Sequence, residues 1–222
     1  MPQASIVASF ILFRHGESEW NAQGRWQGQG DPSLTQTGRR QVQQTARSFV
    51  ENPDTPTFQK IISSDLKRAA QSAKILGEAL GLPIKVDARF RELDVGEWSG
   101  LSHEEISQRW PEDYNAFRAG DAEVCLGGAE SWSMLRARFR QALGELALEF
   151  SGKTILLVAH GGAIRSVLPG LHLDNAGWHG LDLPHALASA WAAGDVAQDV
   201  EADGGLVAGA GGAQAAKNRE AL

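Results

Sequence analysis

The sequence has little that indicates a secreted, metal-binding or membrane protein. It contains one cysteine, Cys125, in 222 residues. A single cysteine excludes an internal disulfide and a zinc site built from cysteines. No apolar run approaches the length of a transmembrane helix, and the segment from Met1 to Phe13 lacks the positively charged start of a secretory signal. We therefore expect a cytoplasmic protein without membrane contact.

Basic residues are also scarce. The chain has 21 Lys and Arg against 27 Asp and Glu, a formal charge of -6 at pH 7. Binding to a phosphate backbone needs a clustered excess of basic side chains, so we expect no nucleic-acid partner. With 42% hydrophobic residues, the chain is long enough for one substantial domain. We expect this domain over residues 1–202 and a mobile Gly- and Ala-rich tail over 203–222.

Apolar runs of strand length alternate with amphipathic stretches along most of the chain. This alternation predicts an α/β fold with three layers, α/β/α, and a mostly parallel sheet. Residues 17–31 lack apolar periodicity and predict an ordered loop. The predicted strands are 5–13, 58–63, 84–86 and 154–159, followed by two late strands at 187–192 and 196–200 with a hairpin around 193–195. The predicted helices run from the N-cap Thr35 to about Glu51, from about Leu66 to the stop at Gly81, from Ser131 to about Phe150, and onward from His160.

The stretch from about residue 93 to residue 130 breaks this alternation and is more polar. Ser102 begins a capping-box pattern that predicts a short helix, and Pro111 ends that helix or begins the next. We interpret residues 93–130 as a helical cap insertion, called the cap segment below. Insertions of this kind commonly cover a site as a lid.

Two of the predicted strands end in a histidine followed by a glycine, at His15 and at His160. The carboxyl ends of neighbouring parallel strands meet at one crevice, so the two imidazoles are expected to converge. Arg14 precedes the first histidine, and Arg68 lies on the first turn of the helix after the second strand. Because a guanidinium can hold two phosphate oxygens, these residues predict a pocket for a dianion such as a phosphoryl group. The alternative is that the histidines are structural and Arg68 is a surface charge.

Other patterns are given a structural interpretation. Three histidines late in the chain lack a recognised ligand spacing, so we predict no metal site there. Three arginines on the long helix from Ser131 are interpreted as its solvated side. The histidines are His172, His179 and His185, and the arginines are Arg136, Arg138 and Arg140.

Several ordered motifs extend from about residue 6 to residue 168. They are Arg14 to Ser18 continuing to Asn21, Leu34 to Gln41, Ser63 to Ala69, Arg91 to Trp98, and His160-Gly161-Gly162. With these motifs the chain resembles the phosphoglycerate-mutase-like branch of the histidine phosphatase superfamily. It departs from the family pattern at Asp31-Pro32, where the proline stands one place early, and it matches poorly after Leu171.

The resemblance implies a role for each matching residue. His15 would be the nucleophile that is transiently phosphorylated, and Glu92 would be the proton donor. The resemblance thus implies a reaction that needs no cofactor or metal. It implies the catalytic residues His15, Glu92 and His160 and the phosphate-binding residues Arg14, Asn21, Gln27, Arg68 and Gly161. The reacting nitrogen of His15 must be unprotonated, so its other nitrogen is expected to be held by a backbone carbonyl. Glu92 must hold a proton for the leaving alkoxide.

The cap segment bears on the choice between mutase and phosphatase. It contains two arginines, Arg109 and Arg118, against nine carboxylates, whereas family mutases carry additional basic residues there. Residues 127–131 also resemble the phosphatase members. We therefore expect a metal-independent phosphomonoesterase that hydrolyses a small phosphorylated metabolite through a phosphohistidine. The alternatives are mutase-type phosphoryl transfer and non-catalytic binding of a phosphorylated ligand; assembly into a homo-oligomer is left open.

Aromatic residues of this region are relevant to the polarity of the leaving group. Four of them are expected near the mouth of the pocket, where they would favour a partly apolar leaving group, unless they simply pack the cap segment. They are Trp98, Trp110, Phe117 and Trp132.

Overall fold

The computed structural model describes residues 6–195, and their strands form one five-stranded sheet. Its order is β3-β2-β4-β1-β5. All neighbouring strands are parallel except β5, which is antiparallel to β1. The strands are β1 Ile6–Arg14, β2 Phe58–Ser63, β3 Ile84–Val86, β4 Thr154–Ala159 and β5 Trp178–Pro184. This topology confirms the mostly parallel α/β sheet.

Helices cover both faces of the sheet. The helices are α1 Glu19–Ala22, α2 Gln36–Glu51, α3 Lys67–Leu80, α4 His103–Arg109, α5 Pro111–Arg118, α6 Trp132–Glu149, α7 Gly161–Val167 and α8 His185–Ala192. Alternate residues of β1 point to opposite faces, so Ile11 and Phe13 pack with α2 and α3, whereas Phe10 and Leu12 pack with α6, α7 and α8. Two cores on either side of one sheet confirm the three-layer arrangement.

Helix ends follow the local signals in the sequence. The Thr35 side chain accepts a hydrogen bond from the backbone N–H of Gly38, 2.9 Å away, and Ser131 caps α6 in the same way. Gly81 ends α3 with φ +67°, a left-handed conformation that glycine adopts without steric cost. These three boundaries were predicted from the sequence and are confirmed.

The secondary structure predicted for residues 187–195 is wrong. Residues 187–192 belong to helix α8, and β5 at Trp178–Pro184 is the last strand within residues 6–195. The predicted hairpin around 193–195 is absent, because Ala193 is the C-cap of α8. Alanine is a good helix former, and the packing of Leu187, Ala188 and Trp191 on the core decides the outcome in favour of a helix. The predicted strand at 196–200 and the predicted tail at 203–222 lie outside the described residues.

Two irregular regions contain more helix than their composition indicates. The stretch at 17–31, predicted as a loop, includes the single turn α1, which is held by a capping box between Ser18 and Asn21. In the cap segment, the predicted capping box is present: Ser102 N–H donates to Glu105 at 2.8 Å. Trp98 and Ile106 of this segment are fully buried in the same core as α6. A lid function for the segment stays a prediction.

Among residues 6–195, no helix is both long enough and apolar enough to cross a bilayer.

Candidate active site

The two histidine-bearing strand ends lie side by side. In the parallel pair β1–β4, Arg14 is in register with Ala159, and the backbone N–H of His15 donates to the Ala159 carbonyl at 3.1 Å. The rings of His15 and His160 therefore meet edge to face, with their centroids 5.1 Å apart. The predicted convergence of the two imidazoles is confirmed.

His15 is held in one orientation by its own backbone neighbour. Its Nδ1 lies 2.7 Å from the carbonyl oxygen of Gly16. Since a carbonyl only accepts, Nδ1 carries the proton and Nε2 keeps a free lone pair. Burial, and then the positive charges of Arg68 and Arg14, hold the pKa of His15 well below its usual 6.5. The ring is therefore neutral at neutral pH, as a nitrogen nucleophile requires.

His160 is fully buried and is positioned by Ser64, which was not predicted to belong to the site. Its Nε2 lies 2.9 Å from the Ser64 hydroxyl, at the end of β2. Its Nδ1 is buried without a hydrogen-bond partner among residues 6–195. Burial first, and Arg68 next, lower the pKa of His160 well below its usual value. A serine directly after a strand that neighbours β4 was the signal that could have identified Ser64.

Arg68 is fully buried on the first turn of α3, so the alternative that it is a surface charge is wrong. Its two terminal nitrogens donate to the carbonyls of Gly30 and Gly28, both at 2.7 Å. Burial lowers its pKa to about 10, while the Glu92 carboxylate acts in the opposite direction. The side chain therefore stays charged at neutral pH and is locked by the loop at 17–31.

Arg14 reaches the same space from β1. Its Nη1 donates to the Leu173 carbonyl at 2.6 Å, and burial lowers its pKa while Glu92 raises it. The Nε atoms of Arg14 and Arg68 are both buried without a hydrogen-bond partner in the described part of the chain. Each guanidinium thus keeps an unused donor, which suits an anion that accepts several hydrogen bonds.

Glu92 is brought to this cluster by two backbone amides. Its Oε2 accepts from Gly162 N–H and its Oε1 from Leu93 N–H, each at 2.9 Å. A Cβ added at Gly162 would lie 2.5 Å from Glu92 Oε1, so the second glycine after His160 leaves the space for this carboxylate. The acid, the two histidines and the two arginines therefore belong to one site.

Asn21 and Gln27 also line this site. Ser18 Oγ lies 2.9 Å from Asn21 Oδ1 and 2.7 Å from Gln27 Oε1, so both amide oxygens are engaged within the protein. Asn175 donates to Asn21 Oδ1 and to the His15 carbonyl, each at 3.2 Å. Asn175 comes from the stretch after Leu171, where the sequence offered no motif that could identify it.

The solvated interpretation of the arginines on α6 is wrong, since none of the three is exposed. Residues two apart are 200° apart around a helix and cannot share one face. Arg140 is 1% exposed, and its guanidinium carbon lies 5.1 Å from the centre of the Trp191 ring.

Arg138 connects α6 to the segment that holds the acid. Its guanidinium donates to both oxygens of Glu130, at 2.7 and 2.9 Å. It also donates to the carbonyls of Arg89, Arg91 and Glu92, at 2.9, 2.8 and 2.8 Å. One side chain thus holds three backbone carbonyls of the segment 89–92, and with them the start of the Glu92 side chain.

A cavity of about 420 Å³ opens over the histidines. Residues 95, 103 and 117 of the cap segment contribute to its walls. Phe117 and Trp132 line it as predicted, together with Trp20 and Trp26, whereas Trp98 is fully buried in the core and Trp110 does not line the cavity. The cavity lining includes Arg14, His15, Asn21, Gln27, Arg68, Glu92 and Gly161. Seven of the eight predicted site residues therefore line this cavity, and His160 lies against His15 beneath it.

Across residues 6–195, no three His, Cys, Asp or Glu side chains are grouped so that they could hold a metal ion. His172 lines the cavity, while His185 is exposed on α8.

Comparison with known proteins agrees with this geometry. The family model of the histidine phosphatase superfamily (branch 1) matches residues 10–192. The chain therefore belongs to this superfamily and is a histidine phosphatase, which confirms the resemblance and the enzyme class expected from the motifs.

Named relatives share most of the chain. Glucosyl-3-phosphoglycerate phosphatase of Mycobacterium tuberculosis is 37% identical over 180 residues, covering 77% of this chain and 78% of that protein. The metal-independent phosphoserine phosphatase of Arabidopsis thaliana is 33% identical over 165 residues, covering 73% and 68%. A structure of mycobacterial glucosyl-3-phosphoglycerate phosphatase with VO3 superposes with a TM-score of 0.69 at 34% identity, covering 78% of this chain and 90% of the other.

Proposed function

We propose that this histidine phosphatase hydrolyses a small phosphate monoester, without a metal ion, through a phosphohistidine formed on His15. The observation that carries the proposal is the contact of the His15 and His160 rings, 5.1 Å apart, in a cavity lined by Arg14, Arg68 and Glu92. Binding alone requires cations, whereas this site adds a neutral imidazole and a carboxyl group. Both relatives described above are named as phosphatases of small phosphorylated compounds.

The phosphoryl group is bound by fixed donors. Arg14 and Arg68 direct their guanidinium groups to its oxygens and offset its two negative charges. The Ser64 hydroxyl donates to His160 Nε2, so that Nδ1–H of His160 donates to a phosphoryl oxygen. The amide groups of Asn21 and Gln27, whose oxygens are already engaged, and the Gly161 N–H complete the set. Phosphoryl transfer depends mainly on such positioning and charge stabilisation.

The transfer step uses the neutral ring of His15. Nε2 attacks phosphorus in line with the leaving oxygen while Nδ1–H stays bonded to the Gly16 carbonyl. The P–N bond forms as the P–O bond to the leaving group breaks. Glu92 gives its proton to the leaving alkoxide, so the alcohol departs neutral.

The second step returns the enzyme to its starting state. Glu92, now a carboxylate, removes a proton from water, and the water oxygen attacks phosphorus. The P–N bond breaks, and inorganic phosphate leaves with His15 neutral again. The cap segment contributes residues 95, 103 and 117 to the cavity, which supports a role for it as a lid over this step. We propose the cytoplasm as the site of action, since Cys125 is the only cysteine.

The proposal is tested with a panel of phosphate esters in excess chelator. Wild-type protein is expected to release phosphate, and His15→Ala to lose at least about a thousandfold in kcat/KM. His185→Ala, which changes an exposed histidine outside the cavity, is the matched control and should keep its activity. Hydrolysis that survives His15→Ala would refute the nucleophile. Phosphate exchange between positions of phosphoglycerate at a rate above that of hydrolysis would show that the protein is a mutase and not a phosphatase.

A further inference from the structure

Asn175 contacts the site, but the proposed reaction does not use it. It lies between α7 and β5, in the stretch for which the sequence offered no motif. Its Nδ2 donates to the His15 carbonyl and to Asn21 Oδ1, each at 3.2 Å. The two N–H groups of one amide thus connect the backbone of the nucleophile with a side chain proposed to bind phosphate. Asn175 is not among the residues that line the cavity, so its effect on a ligand is indirect.

The His15 carbonyl determines the orientation of both amides. A carbonyl oxygen only accepts, so the atom of Asn175 that faces it is Nδ2 and not Oδ1. Because this Nδ2 donates, the atom of Asn21 that faces it is the oxygen. The backbone N–H of Ser18, which also only donates, lies 3.2 Å from the same oxygen. Asn21 Nδ2 therefore points away from these donors, and within residues 6–195 it has no hydrogen-bond partner of its own.

The loop at residues 173–177 also holds Arg14 and His15 through its backbone. The Leu173 carbonyl accepts from Arg14 Nη1 at 2.6 Å. The backbone N–H of Ala176 lies 3.1 Å from the carbonyls of both Arg14 and His15. One loop therefore contacts the nucleophile and the arginine beside it, and it sets their positions together.

The backbone of Ala176 indicates that this loop has a fixed shape. With φ +60°, Ala176 is the only non-glycine residue in the left-handed region in the described part of the chain. An alanine in this conformation is disfavoured, because its Cβ lies too close to the following carbonyl oxygen. Such a conformation persists only where the surrounding contacts impose it. Ala176 is 5% exposed, and its carbonyl accepts from Thr45 Oγ1 at 3.1 Å. The loop thus holds Asn175 at a defined place.

We propose that Asn175 is a positioning residue, which directs Nδ2 of Asn21 toward the phosphate and holds it at a fixed distance from His15. This inference rests on the proposed function, in which the Asn21 amide binds a phosphoryl oxygen. The His15 carbonyl has a second donor in Ala176 N–H, so it stays bonded when Asn175 is replaced. The loss of Asn175 therefore acts mainly through Asn21.

Binding of inorganic phosphate, measured by calorimetry, tests the inference without turnover. Asn175→Ala should weaken phosphate binding by about 5- to 10-fold, because one donor to the anion is no longer held in place. It should lower kcat/KM for phosphate esters by a similar factor. In protein that already carries Asn21→Ala, the same change should cost less than about twofold, since the group that Asn175 orients is gone. Asn115→Ala, exposed on α5 and outside the cavity lining, is the control and should change neither quantity.

The side-chain amide of Asn21 gives a second readout, which a purely structural role would not move. In 15N-labelled wild-type protein, saturating phosphate should shift the NMR signal of the Asn21 NH2 group. In Asn175→Ala this shift should be much smaller, while the backbone amide signals and the thermal midpoint report a folded protein.

Equal losses from Asn175→Ala with and without Asn21→Ala would overturn the inference, because Asn175 would then not act through Asn21. Unchanged phosphate affinity and an unchanged Asn21 signal in Asn175→Ala would overturn it as well while leaving the phosphatase intact. Failure of the phosphatase itself has a different signature: wild-type protein binds phosphate but hydrolyses no ester, or His15→Ala retains hydrolysis. Wild-type protein that binds no phosphate would overturn both.

Discussion

The proposed hydrolysis requires proton transfer by Glu92. It is held by the amides of Gly162 and Leu93, beside the two histidines. Glu92→Gln keeps the size of the side chain and removes the proton that it donates. We expect it to slow alkyl phosphates by about 100-fold or more and 4-nitrophenyl phosphate far less, because a phenolate of low basicity leaves without an acid.

Steady-state kinetics on the two classes of ester measure this difference. Glu104→Gln, at an exposed position of the cap segment, is the control and should change neither. If Glu92→Gln slowed good and poor leaving groups equally, Glu92 would not be the acid.

Arg138 affects the position of Glu92 through the backbone segment that carries this acid. Its bonds to Glu130 and to the carbonyls of residues 89, 91 and 92 fix the segment that carries the acid. Arg138→Gln should therefore lower kcat for alkyl phosphates by about 10-fold or more, with KM nearly unchanged and with 4-nitrophenyl phosphate less affected. Arg138→Lys, which keeps the charge but not the fork, should recover only part of this loss.

A double variant separates positioning from general stability. When Glu92 is already Gln, a further Arg138→Gln change should have little additional effect on alkyl phosphates, because both substitutions disable the same proton transfer. A lower thermal midpoint with equal loss on all esters would assign Arg138 a purely structural role.

At the scale of elements, the turn after β1 is packed directly against the start of α2. A Cβ added at Gly38 would lie 2.0 Å from the Glu17 carbonyl, and one at Gly16 would lie 2.5 Å from the Gly38 carbonyl. Both obstacles are backbone atoms, which cannot move aside as a flexible side chain can. This contact of two glycines sets the position of the segment that begins with His15.

Gly38→Ala should consequently force the turn and the helix apart. We expect a loss of about 1–3 kcal/mol in the free energy of unfolding, measured in urea, together with a fall in kcat. Gln44→Ala, at an exposed position of α2, should change neither. Full stability and full activity in Gly38→Ala would show that this contact does not hold the nucleophile.

The elements also show what could be predicted from the sequence. Caps at Thr35, Ser131 and Gly81 depend on a few neighbouring residues, so their signals are local. The convergence of His15 and His160 followed from strand topology, whereas Glu92 was found through the family resemblance. Residues that only tertiary packing brings together have no local pattern in the sequence that would identify their contacts.

Arg138 and β5 are two examples of that limit. The helical period places Arg138 on a face of α6, but it does not indicate that the backbone carbonyls of residues 89, 91 and 92 accept hydrogen bonds from its guanidinium. The strand β5 contains Gly180 and ends at Pro184, and its pairing with β1 depends on residues far away in sequence. The Ala-rich stretch that follows fits a strand or a helix until α8 is packed on the core.

At the scale of the whole molecule, the two buried histidines couple stability to pH. Burial, followed by Arg68, lowers the pKa of each well below 6.5, whereas in the unfolded chain they titrate near 6.5. Below that pH the unfolded state binds more protons than the folded state, so the free energy of unfolding falls as pH falls. Above about pH 6.5 both histidines are neutral in the folded and unfolded states, so they do not change the free energy of unfolding with pH.

Each histidine should contribute up to about 1.4 kcal/mol per pH unit between about pH 6 and the lower folded-state pKa. Urea unfolding at a series of pH values measures the slope. His160→Gln should make the slope shallower by about that amount, whereas His185→Gln, at an exposed site, should leave it unchanged. Identical slopes in all three proteins would contradict the burial of a neutral His160.

Formation of a phosphohistidine on His15 is the central claim, and rapid acid-free quenching during turnover of a 32P-labelled ester tests it most directly. The account predicts a label that is stable in base, labile in acid, located by mass spectrometry on the peptide containing His15, and absent from His15→Ala. A label on another residue, or steady turnover by His15→Ala without any label, would contradict it.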